Sequence, residues 1–304
     1  MPRQVLIRIL VAGGVVVGSG ALVWALSQGL IGPQGTAKRL LITAQRASER
    51  GEWLAAQTAL EELVGRHPDS PWVDEALLAL GRVYESQQQL VEAQRVLRLL
   101  LERVPSSSVA EEAQRRLGAV NVALLLSPAM TGLDATYEVK SGDSLGKIAT
   151  AYHTTVDVLK RANGLKGDLI HPRQKLKLPA GAFRLVVDKS QNQLLVTQDN
   201  QFFKRYPVAT GENNSTPTGT FTIVNKVPNP VWYRQGAVVP PDSQENILGS
   251  RWLGLNKPGY GIHGSVDPTT IGQQVTAGCV RMTNADVEEL FTIVPIGTEV
   301  TIVD

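Results

Sequence analysis

The 304-residue chain has 43% apolar and 19% charged residues, enough apolar material for two average domains or three small ones and too much for a disordered chain. A formal net charge of +2, an aromatic content of 5% and the lack of any long Lys/Arg run argue against a nucleic-acid partner. A single cysteine rules out an internal disulfide, so its thiol is either a small buried hydrophobe or a reactive group.

Arg3 and Arg8 precede an uncharged stretch from Ile9 to Ala37. The 23 residues from Ile9 to Ile31 are strongly apolar. As a helix they would reach roughly 34 Å, enough to cross a bilayer. The arginines would stay in the cytoplasm and the rest of the chain would be exported. Residues 1–36 therefore read as a signal anchor or signal peptide, Ala25 and Ser27 being small enough for peptidase cleavage. The apolar run continues past that point and favours an uncleaved transmembrane helix. The body would then lie in the cell envelope, in the periplasm or at the wall.

From residue 37 to 126 the pattern is helical. Ala93, Leu97, Leu100, Leu101 and Val104 fall on one face at 3.6 spacing. Arg66-His67-Pro68-Asp69-Ser70 aligns with Arg103-Val104-Pro105-Ser106-Ser107 at a shift of 37 residues, and the same shift carries Ala76, Leu80 and Gly81 onto Ala113, Leu117 and Gly118. This predicts an all-α array of helical hairpins in which Gly81 and Ala93 permit close approach and Tyr84 fills between helices. The segment resembles tetratricopeptide repeats with a longer period, which implies a protein or peptide partner, a plain spacer being the alternative.

Residues 127–134 read as a breaker-rich linker. Residues 135–180 follow, with alternation in Tyr137-Glu138-Val139 and Leu176-Lys177-Leu178 predicting two short strands around helices. Tyr137-Glu138-Val139-Lys140-Ser141-Gly142-Asp143-Ser144-Leu145, then Ile148-Ala149 and Asn163-Gly164-Leu165, resemble a LysM module, a β-α-α-β unit. The resemblance implies binding of N-acetylglucosamine-containing glycan in peptidoglycan. Two positions depart from it: Gly146 stands where the family often has Trp or Tyr, and Arg173 where it often has Gly. His153 and His171 read as surface residues, neither having a partner at metal-ligand spacing.

Residues 183–304 have β texture. Strands are predicted at Arg184–Asp188, Gln193–Thr197, Gln201–Val208, Gly219–Lys226 and Glu299–Val303, and one helix from Asn284, its expected N-cap, to about Thr292. His263 lies 16 residues before Cys279 and is the only histidine of this segment. Both sit in glycine-rich, non-periodic stretches, Gly261-Ile262-His263-Gly264-Ser265 and Thr276-Ala277-Gly278-Cys279-Val280-Arg281-Met282. A thiol is a strong nucleophile only as thiolate, and a neighbouring imidazolium lowers its pKa from about 8.5. Glycines let main-chain amides approach a substrate carbonyl. The residues alone thus support a Cys-His acyl-transfer site, a buried structural cysteine being the alternative.

The His-Gly and Gly-Cys-Val-Arg-Met pair resembles the YkuD-type L,D-transpeptidases, as do Pro207-Val208-Ala209-Thr210-Gly211 and Thr216-Pro217-Thr218-Gly219-Thr220-Phe221-Thr222-Ile223. The resemblance implies a β-sandwich-like catalytic domain with its site in a cleft under a flap, and no metal or cofactor. It implies Cys279 as the nucleophile on a diaminopimelate carbonyl of a tetrapeptide stem, with His263 as the base. Gly278 and Cys279 amides would hold the oxyanion, with Gly264 and Ser265 beside them. Arg281 would orient the loop or pair with a substrate carboxylate, a structural salt bridge being the alternative. Trp232 and Tyr233 would line the donor site from the flap, or pack as core. Thr276-Ala277 replaces the family's frequent Ser-His, leaving His263 the sole candidate base. A stem peptide or another amine would accept the acyl group. An L,D-carboxypeptidase or cross-link hydrolase with the same site, and a non-enzymatic wall-binding scaffold, are the alternatives.

Overall fold

A computed structural model describes residues 33–179, 181–234 and 236–304. The expected transmembrane segment lies outside these residues. Among the described residues no helix is long and apolar enough to cross a membrane. The chain divides into two compact units between Ala113 and Gln114.

The first unit is helical: α1 (Pro33–Glu49), α2 (Trp53–Arg66), α3 (Val73–Ser86), α4 (Leu90–Arg103) and the start of α5 (Ala110–Leu125). Each helix buries one stripe. On α4 these are Ala93, Val96, Leu97 and Leu100, the a/d-like spacing that a 3.6-residue turn requires. Asp74 and Glu75 sit in the first turn of α3, where the positive dipole end favours them. A Cβ on Gly81 would stand 2.7 Å from Leu97 Cδ2, so the α3–α4 contact depends on glycine. Tyr84 donates its hydroxyl to Glu61 of α2 at 2.6 Å.

In the second unit, β1 (Ala135–Glu138) pairs antiparallel with β2 (Lys175–Leu178) around α6 (Leu145–Ala151) and α7 (Val156–Ala162). Ser144 and Thr155 cap the two helices through their hydroxyl oxygens. Val139, Leu145, Ile148, Leu159 and Leu176 form a small core. His153 and His171 are both exposed. The module is fastened rather than tethered. Val158 joins the core of the β-domain, and Thr155 Oγ1 donates to the Thr292 carbonyl at 2.6 Å. Residues 127–134, expected as a linker, wrap the buried Lys177 ammonium, which donates to the carbonyls of Leu124, Ser127 and Ala129 and lies 3.3 Å from the Asp134 carboxylate.

The remaining chain is mainly β: β3 (Phe183–Asp188), β4 (Gln193–Gln198), β5 (Gln201–Pro207), β6 (Thr210–Gly211), β7 (Gly219–Pro228), β8 (Trp232–Arg234), β9 (Ala237–Val239), β10 (Arg251–Leu255), β11 (Gly261–His263), β12 (Gln274–Thr276), β13 (Val280–Arg281), α8 (Asn284–Ile293) and β14 (Glu299–Val303). Eight strands hydrogen-bond in the order β13-β11-β10-β7-β14-β3-β4-β5, in two halves that meet at the long strand β7. Its first residues, 219–222, pair with β14, and residues 223–228 pair with β10 on the other side, so one strand serves both halves. The edge strand β5 is covered by α5: Gly118 packs on Lys204, and Asn121 donates to the Phe203 carbonyl at 2.8 Å. Helix α8 is capped by Thr283, not by Asn284 as expected. The Thr283 hydroxyl accepts the Asp286 amide, which frees the Asn284 side chain for another task.

Candidate active site

Strands β11 and β13 run parallel, with Ile262 opposite Val280 and His263 opposite Arg281. Side chains alternate across a sheet, so burying Ile262 and Val280 in the core turns His263, Cys279 and Arg281 to the other face. On β10, Trp252 is the direct partner of His263. These four side chains line a cleft of ≈ 820 Å³ together with Tyr260, Ala277 and the hairpin residues Trp232 and Tyr233. The structure therefore brings Cys279, His263, Arg281, Trp232 and Tyr233 together in one cleft.

Burial in this cleft disfavours the charged form of both groups. His263 is 2% exposed, and burial holds its pKa down to about 4, the positive charge of Arg281 adding to the effect. Main-chain carbonyls of Gly264, Leu248 and Ile247 oppose the shift. Its Nδ1 lies 2.7 Å from the Gly264 carbonyl, which assigns the proton to Nδ1 and leaves Nε2 as an acceptor. Burial likewise raises the Cys279 thiol above its usual value, against the pull of the Gly261 main chain and Arg281. The thiol donates to the Gly259 carbonyl at 3.5 Å. At neutral pH both groups are uncharged, because a low-dielectric cleft penalises either ion.

The loop that presents Cys279 is built by Thr276. Its hydroxyl accepts the Gly278 amide at 3.2 Å and donates to the Cys279 carbonyl at 2.6 Å. The Gly278 N–H, expected at the oxyanion, is engaged with Thr276 within the loop in this structure. Gly278 has φ +127°, and a Cβ there would meet Tyr260 at 2.9 Å and the Ser215 carbonyl at 3.1 Å, so only glycine fits. Ala277 is exposed, which places the family's frequent histidine at an open edge of the loop.

Gly264 and Ser265 stand outside the cleft lining, contrary to expectation. The Gly264 amide bonds to the Arg251 carbonyl, and the Ser265 hydroxyl is shared between the Asp267 amide and carbonyl. Asn284 Oδ1 accepts the amides of Ser250 and Ser265 and stitches this turn to the next loop. Arg281 is half-buried and forms no ion pair among the described residues. Its Nη1 donates to Thr270 Oγ1 at 3.1 Å, while its Nε is buried without a partner. Sequence reasoning missed Trp252, Tyr260 and Asn225 in the lining. The alternation Trp252-Leu253-Gly254 against Gly261-Ile262-His263 was the available signal.

A lone thiol and a buried imidazole thus share one cleft at the β13 edge of the sheet. Residues 182–302 match the L,D-transpeptidase catalytic domain, residues 137–179 the LysM domain and residues 75–107 a tetratricopeptide repeat. The chain is 37% identical over 174 residues to the protein called L,D-transpeptidase YkuD in Bacillus licheniformis, spanning 55% of this chain and 97% of that one. It is 36% identical over 174 residues to its namesake in Bacillus subtilis, spanning 55% and 98%. An L,D-transpeptidase structure from Mycobacterium smegmatis is similar at 20% identity with a TM-score of 0.35, over 43% of this chain and 63% of that one, too loose a likeness to argue from. The chain belongs to the YkuD family of L,D-transpeptidases. Its LysM and transpeptidase domains point to peptidoglycan and to a cell-wall-associated protein.

Proposed function

We propose that this protein is an L,D-transpeptidase that acylates Cys279 with a peptidoglycan tetrapeptide stem and passes the acyl group to an amine. The observation that carries the reading is the shared face of β11 and β13, which sets the thiol and an uncharged imidazole on one cleft. A neutral His263 is suited to act as general base during attack rather than as a standing ion-pair partner. Nε2 takes the thiol proton as Sγ bonds to the diaminopimelate carbonyl carbon. The Cys279 amide remains the main-chain donor available to the oxyanion. The C–N bond to the terminal D-Ala then breaks, and the imidazolium returns the proton to the leaving amine. An acceptor amine attacks the thioester, His263 removes its proton, and the thiolate leaves and is reprotonated. The chain's own groups complete this cycle without a cofactor.

Arg281 supports carboxylate recognition at the same place, as a half-buried cation whose Nε has no hydrogen-bond partner and which Asp267 reaches only through space. In this reading the LysM module holds glycan, the helical repeats take a protein partner, and residues 1–36 anchor the exported chain in the cytoplasmic membrane. The test is mass spectrometry of tetrapeptide muropeptides incubated with the full chain. Cross-linked dimer supports transfer to an amine, trimmed tripeptide supports hydrolysis instead, and unchanged substrate contradicts both.

A further inference from the structure

One buried carboxamide ties the hairpin over the cleft to the loop that faces the imidazole. Asn246 is 1% exposed. Its Nδ2 donates to the Pro230 carbonyl at 2.9 Å and to the Pro240 carbonyl at 3.1 Å. These carbonyls stand at the two feet of the β8–β9 hairpin, one before Trp232 and one after Val239. Its Oδ1 accepts the Leu248 amide at 3.0 Å. Ile247 and Leu248 in turn line the cleft, and their carbonyls face His263. The hairpin carries Trp232 and Tyr233, and Arg234 stacks on Trp232 with its guanidinium carbon 5.3 Å from the ring. A second tie, Arg234 to Glu245 at 2.9 Å, is exposed on both sides and is readily screened by salt. Asn246 is therefore the tie that solvent does not weaken, since its three bonds lie in a low-dielectric setting.

We infer that Asn246 is a positioning residue that fixes the β8–β9 hairpin over Cys279 and His263 and so sets how a bulky acyl donor is held. This inference rests on the acyl-transfer reading of the cleft. Asn246→Asp keeps the shape but replaces two donated bonds with an acceptor facing two carbonyls. A small reagent needs no hairpin to reach the thiol, whereas a stem peptide does.

The experiment compares wild type, Asn246→Asp and Asn246→Ala in the full chain by three readouts. They are iodoacetamide alkylation of Cys279, steady-state kinetics with tetrapeptide donor, and hydrogen exchange of residues 230–240. The expected result is alkylation within about twofold of wild type, faster exchange in the hairpin, and a donor KM raised roughly tenfold with a smaller change in kcat. Unchanged donor KM and unchanged hairpin exchange in a folded variant overturn the inference. Alkylation that falls in parallel with donor use also overturns it, because the whole site would then have shifted. If Asn246→Asp does not fold, Asn246→Ala decides the same three points. Where wild type itself consumes no donor, the acyl-transfer reading fails, and hairpin exchange alone decides whether Asn246 is the clasp.

Discussion

Trp252 lies over His263, the ring centroids 6.0 Å apart and the planes 22° from parallel, and the two residues are direct partners across β10 and β11. Two glycines seat the indole. A Cβ on Gly261 would come within 2.6 Å of Trp252 Cζ2, and one on Gly254 within 2.8 Å of its Nε1. The indole keeps water from the imidazole, and burial is the largest reason His263 titrates near 4. Other charged or titratable groups facing it are Arg281 on β13 and Cys279 just before that strand, with Tyr260 on the neighbouring loop.

Trp252→Ala admits water to that face, so the His263 pKa rises toward its ordinary 6.5. The base form is the active one and is lost as pH falls through the folded pKa. In wild type kcat/KM should hold down to about pH 5, while the variant should decline below about pH 6.5. The measurement is the acid limb of the pH–rate profile for Cys279 acylation. An unmoved limb would show that the indole does not govern the basicity of His263.

Thr276→Val keeps the branched shape but removes both bonds that hold the Gly278–Cys279 turn. A nucleophile displaced by a fraction of an ångström costs rate rather than affinity, so kcat should fall by roughly 10- to 100-fold with little change in donor KM. Thr276→Ser should restore most of it. Wild-type turnover in Thr276→Val would show that the loop holds its shape by other means.

Lys177 is the ordering centre of residues 127–134. Removing the ammonium by Lys177→Met leaves three inward carbonyls without their donor and the buried Asp134 carboxylate without its charge partner. A loss of about 3–5 kcal/mol follows from an uncompensated buried charge. Denaturant unfolding of the full chain measures it, and a further Asp134→Asn change should return part of the loss. A loss below about 1 kcal/mol for Lys177→Met alone would contradict the clamp.

Arg173 has φ +71°, a left-handed conformation that costs a side-chain-bearing residue about 1 kcal/mol. Its amide donates to the Val139 carbonyl at 2.8 Å, which fixes that conformation. Arg173→Gly relieves the strain at the price of a looser unfolded chain. The LysM module should gain about 0.5–1 kcal/mol, read as a higher unfolding midpoint. A lower midpoint would mean that the arginine side chain contributes more than its backbone costs.

The sequence exposed what local pattern encodes. The 3.6 spacing of Ala93, Leu97 and Leu100 marked a buried helix stripe, and the glycine-flanked His263 and Cys279 stood out from periodic segments. What it hid depends on pairing across the fold. Asn284 has the composition of a cap, yet Thr283 takes that role, and Asn284 bridges two loops 34 and 19 residues away. Trp252 reads as ordinary core until the β10–β11 register places it on His263. The uncharged state of the pair arises from burial, which neither Cys279 nor His263 announces in its neighbours.

The most direct measurement is intact-mass analysis of wild type, Cys279→Ala and His263→Ala after exposure to a carbapenem-type β-lactam, a strained amide that traps an acylating thiol. Wild type should gain one adduct that peptide mapping places on Cys279, and Cys279→Ala should gain none. His263→Ala should acylate slowly at pH 7 and recover only as pH climbs above about 8.5, because burial raises the thiol beyond its free value. An adduct that persists in Cys279→Ala, or wild-type acylation at pH 7 in His263→Ala, would contradict the assignment of nucleophile and base.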